Sequence, residues 1–241
     1  MSELVVVSDA DSLAAEAAQR FAAAAATAIT ERGRFVVALS GGSTPGPAYE
    51  QLASEPLASQ VDWVRVFVLW GDERCVPPDH PDSNYRMASL ALLDRVPIPR
   101  KNVHRIRGEL DPHDAAASYR RELRAVLGAD GRIDLMILGL GTDGHTASIF
   151  PGTIAVEERK RDVVAVYVER LDAWRVTLTL PVISAARQVM FLVTGAGKAA
   201  ILARAYAGEA LPAGLVQHRD GKLTWLVDSD AAGGLRNDEA W

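Results

Sequence analysis

The chain holds one cysteine, Cys75, in 241 residues. A single thiol excludes an intramolecular disulfide framework and a cysteine-built zinc site. No apolar run reaches the roughly 18 residues needed to cross a bilayer, and the first residues lack the basic-then-apolar order of a secretory leader. No membrane association is expected, and the reducing cytoplasm is the expected compartment. Positive charge is also in short supply: 26 Lys and Arg stand against 31 Asp and Glu, a net charge of −5. That balance offers no global basic field to nucleic acid. An anionic ligand must therefore be held by a local cluster of cations and N–H groups. Internal repeats and domain-splitting linkers are missing too, so one large domain is expected. No cluster of side chains has metal-ligand spacing, and His80, His104, His113 and His218 are scattered among charges and read as solvated. Neither a metal nor a cofactor is expected.

What is present is an ordinary globular composition, 49% hydrophobic and 24% charged. Short apolar runs alternate with helical patterns. Strands are predicted at Leu4–Val7, Phe35–Leu39, Val64–Trp70, Ile133–Leu138, Val163–Val168, Arg175–Leu180, Val189–Val193 and Leu223–Val227. Helices are predicted from a cap at Asp9 or Asp11 to about Glu31 with Gly33 as stop, from Pro45 to about Ala53, and from about Ser83 to Leu93. Two more run from Asp111-Pro112 to near Gly128 and from about Gly197 to Ala207. The alternation predicts an α/β fold with a mostly parallel sheet covered on both faces. Residues 1–229 are expected to form the domain. The tail from 230 on is expected to fray, with Trp241 its one residue able to dock. The 82–112 segment, weak in periodicity, is expected to insert or to lie across a sheet edge.

Four strand ends carry the chemistry-bearing residues, where open α/β sheets place their sites. After Phe35–Leu39 comes Ser40-Gly41-Gly42-Ser43-Thr44. Its glycines permit close approach, and its N–H groups and two hydroxyls suit a phosphate; a plain strand-to-helix turn with a Ser/Thr cap is the other reading. After Val64–Trp70 comes Gly71-Asp72-Glu73-Arg74. Asp72 or Glu73 suits proton transfer and Arg74 a phosphate or a developing oxyanion; a solvated loop with a local ion pair is the alternative. Cys75 next to it has no activating neighbour in sequence and reads as structural.

After Ile133–Leu138 comes Gly139-Leu140-Gly141-Thr142-Asp143-Gly144-His145-Thr146-Ala147-Ser148-Ile149-Phe150-Pro151-Gly152. Gly139, Gly141 and Gly144 match a dinucleotide fingerprint, but Asp143 and His145 crowd the pyrophosphate position and no acidic residue ends the next strand. An Asp and a His two apart in a glycine turn read instead as a base and its carboxylate. After Val189–Val193 comes Thr194-Gly195-Ala196-Gly197-Lys198, whose spacing fails as a P-loop because Leu192 and Ala199 stand where Gly and Ser/Thr belong. Lys198 reads as a phosphate-binding point charge or a solvated lysine. Arg175 is a further candidate cation. Together the loops describe a site for hydrolysis or proton transfer on a small phosphorylated molecule.

At these residues the chain resembles the 6-phosphogluconolactonase family. The resemblance is carried by Leu39 through Pro45, Gly71 through Arg74 with Val76-Pro77, Asp82 through Met87, Gly139 through Gly152, Arg175 through Pro181 and Val193 through Lys198, in family order over about residues 40–200. It implies a doubly wound, Rossmann-like α/β fold shared with glucosamine-6-phosphate deaminases, no metal or cofactor, and opening of a phosphorylated sugar δ-lactone in the oxidative pentose phosphate pathway. By resemblance His145 activates water, and Asp143 or Asp72 orients it. Arg74 and loop N–H groups meet the oxyanion. Gly41, Gly42, Ser43, Thr44, Arg175 and Lys198 bind the phosphate. A monomer or small homo-oligomer is expected. Two rivals stand beside this reading. An amino-sugar-phosphate deaminase has Tyr where this chain has Arg74. A non-catalytic sugar-phosphate sensor needs a helix-turn-helix, for which the expected fold start near residue 4 leaves no room.

Overall fold

The computed structural model describes residues 2–218 and 220–235. Among these residues lie nine strands and eight α-helical segments. The strands are β1 (Glu3–Val7), β2 (Phe35–Leu39), β3 (Val66–Trp70), β4 (Asp72–Arg74), β5 (Leu135–Gly139), β6 (Val163–Val168), β7 (Ala173–Leu178), β8 (Gln188–Val193) and β9 (Lys222–Asp228). The helices are α1 (Ala10–Arg32), α2 (Gly46–Leu52), α3 (Leu57–Gln60), α4 (Asn84–Ala88), α5 (Pro112–Leu127), α6 (Ile154–Glu157), α7 (Leu180–Ala185) and α8 (Ala199–Tyr206). Asp9, not Asp11, caps α1 by accepting from the Ser12 N–H at 2.8 Å, and Gly33 ends it at φ 74°.

Six strands form an all-parallel sheet in the order β1-β9-β8-β5-β2-β3. Every residue of β2 is buried, as an unbroken apolar run in a covered parallel strand must be. The doubly wound expectation holds here: the chain leaves β2 toward β3 on one side and β5 toward β8 on the other. The expectation falls short in one respect. Three strands form a separate antiparallel sheet, β4-β7-β6, against which α5 packs. The predicted charged loop at 72–74 is its edge strand. Gly71 is where the chain changes sheets, its N–H donating to Leu39 O at 3.0 Å and its C=O accepting from Leu178 N at 2.8 Å.

Two buried tyrosines finish the strands that lead to the site. The Tyr49 hydroxyl accepts from Ser40 N (3.1 Å) and donates to Ser40 O (3.0 Å) just past β2. The Tyr119 hydroxyl does the same for both backbone groups of Trp70 at the end of β3 (2.7 and 2.9 Å). Each satisfies a buried donor and acceptor where pairing with a neighbouring strand has run out.

The 82–112 segment runs along the edge strand β3, through a bridge from Val103 to Val68 and bonds from Asn102 Nδ2 to Val64 O and Val66 O. Fraying from residue 230 is corrected for 231–235. Residues 231–234 form a 3-10 turn with Ala231 and Ala232 buried, tied by the Ala231 N–H to Asp228 Oδ1 at 2.8 Å. Residues 236–241, Trp241 included, lie outside the described residues. His104 departs from the solvated reading: its ring is partly buried, stacks near Phe67 and meets Glu122 Oε1 at 2.9 Å. No helix is long and apolar enough to cross a membrane, among the described residues.

Candidate active site

The order of the parallel sheet reverses between β2 and β5, and an open α/β sheet binds ligands at such a switch point. The two strands pair only through Val37–Ala38 and Leu135–Met136, so their C-terminal ends part. A cleft of about 250 Å³ opens there, walled by the 40–45 turn, Asp72, Arg74, Asn84, the 139–147 loop and the 192–198 segment. Eight of the ten sequence-predicted site residues line it. Asp143 does not, but it bonds His145, which does. Arg175 does not line the cleft either. The β4–β7 register sets it opposite Arg74, and its guanidinium bonds Trp174 O at 3.1 Å.

The 139–147 loop is folded around the imidazole. Gly141 N donates to His145 O at 2.8 Å and Gly144 N to Gly141 O at 3.0 Å. A Cβ on Gly141 would stand 1.9 Å from His145 Nδ1, so only glycine admits the ring. Ala147 holds a left-handed φ of 46° on the cleft wall, a strained setting found where function over-determines the backbone. His145 Nδ1 lies 2.5 Å from Asp143 Oδ1, and the other oxygen of Asp143 takes Arg170 Nη2 at 2.7 Å. With Asp143 as acceptor, Nδ1 carries the proton and Nε2 is the nitrogen left to accept one. The imidazole leans on Phe150, ring centroids 4.1 Å apart. Burial holds the imidazole below its ordinary value, against the upward pull of Asp143 and Asp72, and Arg170 adds to the lowering. Burial pushes the Asp143 carboxyl up, but the hydrogen bonds from His145 outweigh it and leave it low.

The second carboxylate, Asp72, is buried and does not bond His145. Its Oδ2 accepts from Ser148 Oγ at 2.5 Å, and Asn84 Nδ2 lies 3.3 Å from Oδ1. Its charge still acts on the imidazole. Glu73, weighed above for proton transfer, is fully engaged elsewhere. It accepts from Ser83 Oγ, Arg74 N, Asn84 N and Tyr85 N at 2.7–3.0 Å, serving as the anchor for the start of α4. Burial raises its carboxyl although those N–H groups oppose the rise. Cys75 is inert by environment, its thiol pushed up to about 11 by burial.

The rest of the wall is positive and unpaired. Arg74 bonds only the Asp82 carbonyl, and Lys198 has no carboxylate within ion-pair distance, among the described residues. Burial lowers the Lys198 ammonium slightly against the pull of Asp143. The N–H groups of Gly41, Gly42, Ser43 and Thr44 donate to no backbone or side-chain acceptor among the described residues. Thr44 Oγ1 meets Thr194 Oγ1 at 3.2 Å, joining the turn to the 194–198 segment. Asp228 fixes that segment by accepting from Gly195 N at 2.9–3.0 Å.

A neutral base beside uncommitted donors and cations can activate water and hold an anion. The family model described as glucosamine-6-phosphate isomerases/6-phosphogluconolactonase matches residues 8–225. The chain belongs to this family. A 6-phosphogluconolactonase from Synechocystis sp. is 45% identical over 219 residues, 87% of this chain and 88% of that protein. The structure of 6-phosphogluconolactonase from Trypanosoma cruzi superposes at a TM-score of 0.87 with 30% identity, over 98% of this chain and 97% of that one. A monomeric glucosamine-6-phosphate deaminase, 20% identical, reaches a TM-score of 0.81 over 96% of this chain and 99% of its own; at that identity the likeness is one of fold. Asn84, Ser148, Phe150 and Arg170 had been given no role. Asn84, Ser148 and Phe150 lie inside the motifs that carried the resemblance, whereas Arg170 sits in a polar turn with no sequence signal.

Proposed function

We propose that this protein hydrolyses 6-phosphogluconolactone to 6-phosphogluconate, with His145 as general base. The observation that carries the reading is the Asp143–His145 pair at 2.5 Å, whose imidazole lines the cleft that also holds two cations without an acidic partner among the described residues. His145 Nε2 takes a proton from water as the water oxygen bonds C1. The C1 carbonyl becomes an oxyanion. The C1–O5 bond then breaks, and O5 leaves with the proton returned by the imidazolium, so one water is added overall. Asp143 holds the Nδ1–H tautomer and stabilises the imidazolium. Asp72 stays a buried carboxylate whose charge favours the same imidazolium.

The 6-phosphate is assigned to the Gly41–Thr44 N–H groups and Lys198, far from the bond that breaks, where its binding energy positions C1. Arg74 serves the anion at its end of the cleft. Arg175 is left out of direct contact and supports Arg74 by its charge. All these groups come from one chain, so a monomer is sufficient. A soluble sugar phosphate as substrate supports the cytoplasm as its compartment.

The test generates the lactone in situ by oxidising glucose 6-phosphate and follows its decay with and without the protein. A rate well above the uncatalysed one is expected. Ammonia release from glucosamine 6-phosphate would favour the deaminase instead, and phosphosugar binding with intact lactone would favour a sensor.

A further inference from the structure

The mechanism leaves Arg170 unused, yet among the described residues it is the one charged side chain that reaches the orienting carboxylate from outside the 139–152 loop. It lies in the turn between β6 and β7, over residues 169–171. Its Nη2 is 2.7 Å from Asp143 Oδ2. The opposite oxygen of Asp143 is taken by His145 Nδ1 at 2.5 Å and His145 N at 3.2 Å. Both carboxylate oxygens are therefore committed, and the plane of the carboxylate is fixed. The same guanidinium lies 4.8 Å over the Phe150 ring, whose other neighbour is the imidazole at 4.1 Å between centroids. One arginine thus braces both the carboxylate that holds the edge of the imidazole and the ring it leans on.

We propose that Arg170 is a positioning residue for the hydrolysis, clamping Asp143 and Phe150 so that His145 keeps Nε2 turned to the attacking water. The proposal rests on the hydrolase reading. A plain surface ion pair is the bland alternative, since the Arg170 side chain is 50% exposed and such pairs contribute little by themselves. What separates the two is where the partner leads: Asp143 is bonded to the base itself.

The charges facing His145 fix the sign of the effect on pH. Asp143 on its own loop and Asp72 on β4 favour the imidazolium, while Arg170 opposes it. Lys198 feels the charge of Asp143, and Arg74 lines the same cleft. Removing Arg170 leaves Asp143 less neutralised. The imidazole then holds its proton to higher pH, and less of the base is free at a given pH.

The experiment compares Arg170→Gln and Arg170→Lys with the unaltered protein. Two readouts are taken: pH profiles of kcat and kcat/KM, and the titration of the His145 imidazole by NMR without substrate. Arg170→Gln is expected to lower kcat about 3–5-fold with KM within about twofold. Its acid limb should move up by about half a pH unit. Arg170→Lys should recover most of both. A half-exposed turn residue should leave the melting point within about 2 °C. Unchanged kcat and acid limb in Arg170→Gln would overturn the proposal, as would a loss confined to KM, which marks a substrate contact. If the unaltered protein opens no lactone, the function reading fails separately. The NMR titration then decides Arg170: an upward shift in Arg170→Gln supports the clamp, and an unmoved imidazole overturns it.

Discussion

Two sets of groups at the cleft are built on opposite principles. In the set around His145 every charge has a partner: Asp143 with His145 and Arg170, Asp72 with Ser148 and Asn84. In the other set Arg74, Lys198 and four backbone N–H groups have no acidic partner among the described residues. Paired groups hold a geometry, and geometry is what proton transfer in a transition state rewards. Unpaired donors on the wall of an open cleft are free to meet a charge brought in from outside. The contrast assigns turnover to one set and affinity to the other, and substitutions in each set should separate kcat from KM.

The largest effect is expected in the paired set. His145→Asn should lower kcat about 10²–10⁴-fold, the usual worth of a general base, with KM little changed. Near-unaltered lactone decay by this variant would remove His145 from the mechanism. The pH profile of the unaltered protein carries the same assignment. Burial depresses the imidazole below its ordinary value, so the base is free at neutral pH. Activity should fall only as pH drops through that lowered value. An acid limb above the ordinary histidine range would contradict the burial argument.

Gly141→Ala comes next. The new Cβ would meet His145 Nδ1 at 1.9 Å, and the nearby ring atoms at 2.2 and 2.7 Å. The ring must move, and a displacement of about 1 Å costs on the order of 10²-fold. Steady-state kinetics should show the loss in kcat. A variant with unaltered kcat would mean that the imidazole reaches water from another position.

How much of this contrast was legible in the sequence follows from which forces act locally. The strand–helix alternation, the caps of α1 and α5 and the glycine turns are written in neighbouring residues, and so were foreseen. The strand β4 was not, because Asp-Glu-Arg has the composition of a loop; Asp72 and Glu73 are buried by partners 10 to 76 residues away. The antiparallel sheet was hidden because β6 and β7 have the same apolar pattern as parallel strands. The residues of the cleft could be recognised as a set. Their pairing could not, since the choice between Asp143 and Asp72 as the partner of His145 turns on side-chain direction. The place of Arg175 was hidden for the same reason: strand register, invisible in one sequence, sets it beside Arg74 and off the wall.

In the unpaired set a smaller, different effect is expected. Lys198→Ala should raise KM about 10-fold, the scale of one charge-assisted hydrogen bond, with kcat changed much less. Inhibition by inorganic phosphate should weaken in parallel. A lactone lacking the 6-phosphate should be opened equally well by both proteins. Unchanged affinity for every phosphorylated ligand would return Lys198 to the solvated surface.

The smallest effect on catalysis tests whether the contrast reaches back into the fold. Tyr49 and Tyr119 make the same two bonds, but to different strand ends: Ser40, which opens the glycine turn of the cleft wall, and Trp70, which precedes β4. Either change to Phe strands a buried N–H and C=O at a cost of about 1–3 kcal/mol. In a chain of this size that is a fall of roughly 3–10 °C in melting point. The stability losses should therefore match, while the kinetic losses should differ. Tyr49→Phe loosens the start of the turn whose N–H groups await the phosphate, so it should raise KM about two- to threefold. Tyr119→Phe leaves that turn alone, and the β4–β7 pairing still fixes Asp72 and Arg74, so KM should hold. Equal KM in both variants would mean that the turn is set by its contact through Thr44 and Thr194 and owes nothing to the tyrosine behind it.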